Sequence, residues 1–280
     1  MNITVKNCDR KYYEELRRIG YRGVDFSFGG YAVYDEMMEP DYAEKCMEWY
    51  RAVIGAGLEL SQTHLTYRPS AFLPADGGNY PDYEVKLLPL LEKQLRITAE
   101  MGCKVAVFHP YYELGSEVNT RRGNITLIEK LMPLLEETGI VLAEENVYGP
   151  KCCHAHHSTA EELLYYPEYF NSKHLGICLD TGHAVIRGQD PVQMMEKVGP
   201  WLAALHLHTT LPGTDIHTVP YLTNQGEQVD WAAFYRALQK TGYTGAFNME
   251  LKVPPALSYE AACLFYRLAY TVARDIMGGA

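Results

Sequence analysis

Residues 175–183 read LGICLDTGH, and the pattern in this stretch organises the whole chain. LGICL is a short apolar run with no polar alternation, as expected of a strand buried on both faces in a parallel sheet. It turns polar only at its end, in Asp180. His183 follows a Thr-Gly pair that lets the chain bend and carry the imidazole back over the strand terminus. A buried strand that ends in a ligand-type side chain is both a fold signal and a site signal.

The same pattern recurs on both sides. Upstream lie NITV (2–5), GVDFSF (23–28), LELSQTHL (58–65), KVAVFH (104–109) and IVLAEEN (140–146); downstream lie LAALHLH (202–208) and GAFNMEL (245–251). NITV is the weakest of the eight. Stretches of helical period separate them, such as 83–101 with Leu87, Leu88, Leu91, Leu95 and Ile97, and 229–241 with Trp231, Phe234 and Leu238. Gly20, Gly102, Gly139 and Gly242 stand where helices would exit through a left-handed residue before the next strand. Eight strand-helix units within 280 residues predict an α/β fold, a (β/α)₈ TIM barrel forming a single domain over 1–280. An open doubly wound sheet is the alternative arrangement.

Composition narrows the function classes. The net charge of −10 and pI near 5.5 give no general basic footprint for nucleic acid and favour a small-molecule substrate. No run of about 18 apolar residues suggests a membrane span, and no secretory leader is evident. Seven irregularly spaced cysteines, with Cys103 and Cys178 inside apolar runs, argue against a disulfide framework. The chain reads as soluble and cytoplasmic, and its aromatic surface residues would suit a homodimer.

The strand ends carry the chemistry. The third run ends in His64, the fourth in His109, the fifth in Glu144, Glu145 and Asn146, the sixth in Asp180 with His183 beyond, the seventh in His206 and His208, and the eighth in Glu250. In a barrel these ends converge on one mouth. Carboxylates crowded together would have to take up protons unless a divalent cation offset their charge, with neutral imidazoles completing its shell. Mixed nitrogen and oxygen donors suit Zn²⁺ or Mn²⁺. Adjacent strand residues face opposite ways, so only one of Glu144 and Glu145 looks inward, and Glu145 is the expected one. His206 and His208 share a face, His208 lying farther out toward substrate.

These motifs resemble the xylose isomerase-like barrel superfamily of sugar isomerases, epimerases and apurinic-site endonucleases. The resemblance rests on THLTY (63–67), VFHP (107–110), EEN (144–146), LDTGHA (179–184), HLH (206–208), DIH (215–217), GEQVDW (226–231) and the closing GYTGAFNMEL (242–251), so it spans nearly the whole chain. It implies a main metal held by Glu145, Asp180, His206 and Glu250, with His183 contacting substrate; His64 and His208 are further candidate substrate contacts. It implies additional metal ligands, as in the endonuclease branch, among His64, His109, His183, Asp215 and His217. After Glu145 the chain reads NVYGPKCC where that branch usually has a small Gly-rich turn, and no arginine-rich insertion for gripping DNA is apparent.

For a sugar enzyme the resemblance implies proton transfer next to a carbonyl through a metal-bound enediolate. Glu145 and Glu250 would be the catalytic pair, removing a proton on one side and returning one on the other, as epimerisation or isomerisation. Zinc-dependent phosphodiester hydrolysis at apurinic sites is the alternative reaction, and a non-catalytic sugar-binding barrel a third class. KCCHAHH (151–157) is read as a wall of the pocket that offers His154, His156 or His157 to substrate, in preference to a structural zinc site. The 67–81 segment is a candidate lid, Tyr67, Tyr111, Tyr112 and Tyr148 are candidate sugar-contacting rings, and Arg68, Lys151 and Arg187 are candidate phosphate partners.

Overall fold

The computed structural model describes residues 1–7, 9–30, 33–67, 86–110, 117–148, 157–224 and 226–278. Eight strands alternate with helices: β1 Ile3–Lys6, β2 Gly23–Ser27, β3 Glu59–His64, β4 Val105–Phe108, β5 Val141–Glu145, β6 Leu175–Asp180, β7 Leu202–His206 and β8 Phe247–Met249. Each falls inside or within one residue of its expected run. All pair in parallel in the order β7-β6-β5-β4-β3-β2-β1-β8. A parallel bridge between Leu207 and Met249 joins the two ends, with Leu207 N–H donating to Asn248 O at 2.9 Å. That closure excludes the open sheet.

Around the barrel run α1 Tyr13–Ile19, α2 Tyr34–Met38, α3 Tyr42–Gly55, α4 Leu88–Glu100, α5 Glu117–Thr138, α6 Ala160–Phe170, α7 Thr181–Ile186, α8 Pro191–Val198, α9 Trp231–Lys240 and α10 Tyr259–Ile276. Residues 83–85 and 111–116, where the expected α4 start and two of the tyrosines fall, lie outside the described residues, as do Arg68, 69–81, Lys151 and His154 and His156. Gly102 and Gly139 take φ of +72° and +70°, conformations that an L side chain enters only with strain, so the predicted glycine exits are real.

Alternation sorts the strand residues into two layers. Ile3, Val5, Val24, Phe108, Leu142, Ile177, Leu205 and Phe247 join the helices in one large core. Val107, Ala143, Cys178 and Ala204 form a separate small apolar plug inside the barrel. Across the barrel the interior is polar: Thr4 donates to Asn248 Oδ1 at 2.8 Å, while Gln62 and Asn248 donate to Asp25 at 3.2 and 3.1 Å. At the C-terminal ends of the strands charged side chains gather, among them His64, Glu145, Asp180, His206 and Glu250. Cys46, Cys103, Cys178 and Cys263 are buried and form no disulfide among the described residues, and no described helix is long and apolar enough to cross a membrane.

On α9 the buried face is Trp231, Phe234, Ala237 and Leu238, the helical spacing expected of a core stripe. Phe234 is fully buried. Phe234→Ala is therefore expected to destabilise the fold by about 3–5 kcal/mol, read as a lower denaturation midpoint with unchanged cooperativity.

Candidate metal centre

β5 places Glu145 inward and Glu144 outward, as alternation requires. Glu145 is 1% exposed, and both its oxygens face imidazoles. His64 Nε2, from β3, and His109 Nε2, just past β4, each lie 3.0 Å from Oε2. His183 Nδ1 and His206 Nδ1 each lie 3.2 Å from Oε1.

β6 ends in Asp180, whose carboxylate caps α7 by accepting His183 N–H at 2.7 Å. The Thr-Gly segment is thus the first turn of a short helix, and that turn swings His183 back over the mouth. Gly182 is needed there because a Cβ would sit within the His208 ring. Asn146, a possible ligand on sequence grounds, has a structural task instead. Its side chain accepts Asp180 N–H at 2.7 Å and donates to Asp180 O at 2.8 Å, extending the β5–β6 pairing by one rung.

Glu145, Asp180, His206 and Glu250 each offer a donor atom, all within 4.8 Å of one another. His206 Nδ1 is 3.2 Å from a Glu145 oxygen, 3.2 Å from a Glu250 oxygen and 4.0 Å from an Asp180 oxygen. Yet both ring nitrogens of His206 and Oε2 of Glu250 are buried without a hydrogen-bond partner among the described residues. Buried polar atoms are seldom left so. Three carboxylates and an imidazole aimed at one point, with unmet bonding capacity there, fit a divalent cation. Without one, burial would push the Glu145 carboxyl up, but His206 and His109 hold it well below the usual range. Burial opposes the shift at Glu250 too, where His206 and then Lys6 hold the carboxyl down. His206 is raised despite burial by Cys178, Glu250 and Glu145.

Two smaller donor groups flank this centre: His64, His109 and Glu145 on one side, and His183, Asp215 and His217 on the other. Within these two groups three imidazoles have their Nδ1 fixed by backbone carbonyls: His64 by Leu65 O at 2.8 Å, His183 by Asn146 O at 2.8 Å and His217 by Glu250 O at 3.1 Å. A carbonyl can only accept, so these bonds put a hydrogen on Nδ1 and aim Nε2 inward, the arrangement found around metal-binding histidines. Despite burial, Asp180 and Glu145 raise His183 to about 10. Burial also opposes the shift at Asp215, which His217 and His183 hold below the usual carboxylate range. His208, expected farther out, is fully buried: its Nε2 lies 3.1 Å from Asp180 and its ring stacks on His217 with centroids 3.9 Å apart.

Two contributors were missed in the sequence. Lys6 donates to Glu250 from the end of β1, and Asp25 on β2 lies 3.6 Å from His206 Nε2. A lone Asp inside GVDFSF, where a buried apolar strand was expected, was the available signal. Of the three histidines expected to offer one to substrate, His154, His156 and His157, the last does not face the mouth. It is buried behind β5, paired with Glu144 and stacked on Tyr166, on the helix side of the strand. Tyr148 packs edge-on against His183 with ring centroids 4.9 Å apart.

An eight-stranded parallel barrel with a convergent histidine-carboxylate centre at its C-terminal mouth defines the class of protein. The chain belongs to the xylose isomerase-like TIM barrel family, which matches residues 13–268. A D-psicose 3-epimerase solved in the presence of D-fructose superposes with a TM-score of 0.78 at 15% identity over 100% of both chains. A D-psicose 3-epimerase from Clostridium cellulolyticum H10 gives 0.76 at 14% identity over 99% of both. The 3-keto-D-glucoside 4-epimerase YcjR of E. coli gives 0.72 at 16%, covering 98% of this chain and 99% of its own. These likenesses show the shared fold. Among curated sequences, the uncharacterized y4fM of Sinorhizobium fredii is 23% identical over 187 residues, 66% of this chain and 58% of its own. The uncharacterized MJ1311 of Methanocaldococcus jannaschii is 29% identical over 161 residues, 55% and 52%. The chain thus spans little more than half the length of these curated relatives.

A carboxylate behind a metal-binding imidazole orients the ring. Asp25→Asn is accordingly expected to weaken binding of Zn²⁺ or Mn²⁺ about 10–100-fold by calorimetric titration. Unchanged affinity would show that Asp25 does not orient His206.

Proposed function

We propose that this chain is a metal-dependent sugar or sugar-phosphate isomerase or epimerase. The observation that carries the reading is the approach of Glu145 and Glu250 to one nitrogen, His206 Nδ1, both at 3.2 Å. They arrive from β5 and β8, with β6 and β7 between them, so a substrate carbon seated over His206 would have a carboxylate on either side.

A divalent ion held by Glu145, Asp180, His206 and Glu250 would supply Lewis acidity, polarising a carbonyl and fixing the hydroxyl next to it. Glu250 has one oxygen occupied by the Lys6 ammonium, so Oε2 is the atom that would serve both the ion and the substrate proton. Glu145 has its oxygens among imidazoles, which both orient it and provide a route for the proton it receives. Both carboxyls are held well below their usual range, so each is ionised beforehand and, once protonated, returns the proton readily. Return to the opposite face of the same carbon is epimerisation; return to the neighbouring carbon is isomerisation. His183, whose Nδ1 is fixed on Asn146, is oriented to bind a substrate oxygen at the mouth. The sugar epimerases of the same fold support this reading.

The flanking donor groups favour one second reading, a multi-metal phosphodiesterase, in which clustered cations activate water and stabilise the departing oxygen. The net charge of −10 argues against a DNA partner for it.

Glu145→Gln and Glu250→Gln are each expected to lower solvent deuterium exchange into a panel of ketoses about 10²–10⁴-fold with the fold retained. Normal exchange in either variant would reject its role. Elemental analysis separates the two reactions. One tightly held metal per chain is expected, whereas three, together with cleavage of abasic duplex DNA, would overturn the sugar reading.

A further inference from the structure

A cavity of about 870 Å³ opens beside the candidate centre, between the loops that follow β1 and β8. Lys6 and Leu251 are among the residues that line it. Lys6 also holds Glu250, and Leu251 is the next residue in the chain, so the cavity begins one side chain away from a proposed proton-transfer carboxylate. Its volume lies at the upper end of small-molecule sites, about 300–1,000 Å³. A single sugar ring seated over His206 gives no reason for such a space.

The two walls differ in chemistry. The loop after β8 presents Val253, Pro254, Pro255 and Leu257, with Leu257 38% exposed. The facing loop presents Arg10, which is exposed and has no ion-pair partner among the described residues. Free positive charge is otherwise scarce there. Lys6 is paired with Glu250, and Lys11 lies 2.8 Å from Asp9, whose carboxylate occupies the same wall. An anionic group would meet that carboxylate together with cations already in use. A glycosyl unit suits the walls better: its C–H face can lie on the prolines and leucine, and its hydroxyls can accept from Arg10.

We infer, resting on the sugar-enzyme reading, that the substrate is a glycosylated sugar whose second ring lies in the cavity between the β1 and β8 loops. Binding energy from that remote ring is then available to position the reacting carbons against Glu145 and Glu250.

The test compares D-fructose, phosphorylated fructose and isomaltulose, in which a glucosyl group sits at the end of fructose remote from the reacting carbons. Metal-loaded protein is assayed for deuterium exchange, with binding of each sugar measured by calorimetry. The expected result is a kcat/KM for isomaltulose at least about tenfold above that for fructose, and a fall of that ratio to about one in Leu257→Trp, which puts an indole in the path of the second ring. A wild-type ratio of one or less, a ratio unchanged in Leu257→Trp, or a preference for phosphorylated fructose overturns the inference while exchange from fructose leaves the sugar reading intact. No exchange from any sugar and no binding of isomaltulose overturns both.

Discussion

Both oxygens of the Glu145 carboxylate face imidazoles, His64 and His109 at 3.0 Å on one side and His183 and His206 at 3.2 Å on the other. Much of the mouth is arranged by this one group. The imidazoles around it come from β3, the end of β4, the start of α7 and β7, so four segments meet at this carboxylate. Burying a carboxylate is costly unless the charge is met by donors or cations. The price is recovered only when all four elements are in register, which makes completion of the barrel and assembly of the site one event.

That dependence explains why so much was legible in the sequence. A strand buried on both faces cannot alternate, so LGICLD and IVLAEE stand out as apolar runs, and their polar ends stand out for the same reason. Glu145 could be separated from Glu144 because the strand period is two. Asp25 and Lys6 were harder to see. A charge inside a short run looks like an interruption of the strand, and its value appears only when β2 and β1 are placed against His206 and Glu250. The task of Asn146 was also hidden, since an amide that extends strand pairing looks like a ligand until Asp180 is known to lie beside it.

His157 shows a different limit. In KCCHAHH the composition points to metal or substrate, yet His157 sits behind β5 with a φ of +84° and pairs with Glu144. No periodic pattern survives in a loop to say which way a side chain faces. The partner was in view, because a buried outward Glu144 needs a counter-charge on the helix side, but nothing in the spacing selects His157 over its neighbours.

The Glu144 and His157 pair also bears on Glu145. Burial pushes the Glu144 carboxyl up and the His157 imidazole opposes that shift. Asn124 on α5 reaches Tyr166 on α6 at 3.2 Å and lies 3.4 Å from His157, so the pair is tied into the helix layer. The end of β5 is therefore held from both faces, by imidazoles inside the barrel and by an imidazole and a helix contact outside. A residue that must present two oxygens to several partners within a few tenths of an ångström needs a backbone that cannot rotate about the strand axis. Adjacent glutamates, one bound in each layer, provide that restraint with two consecutive positions of sequence.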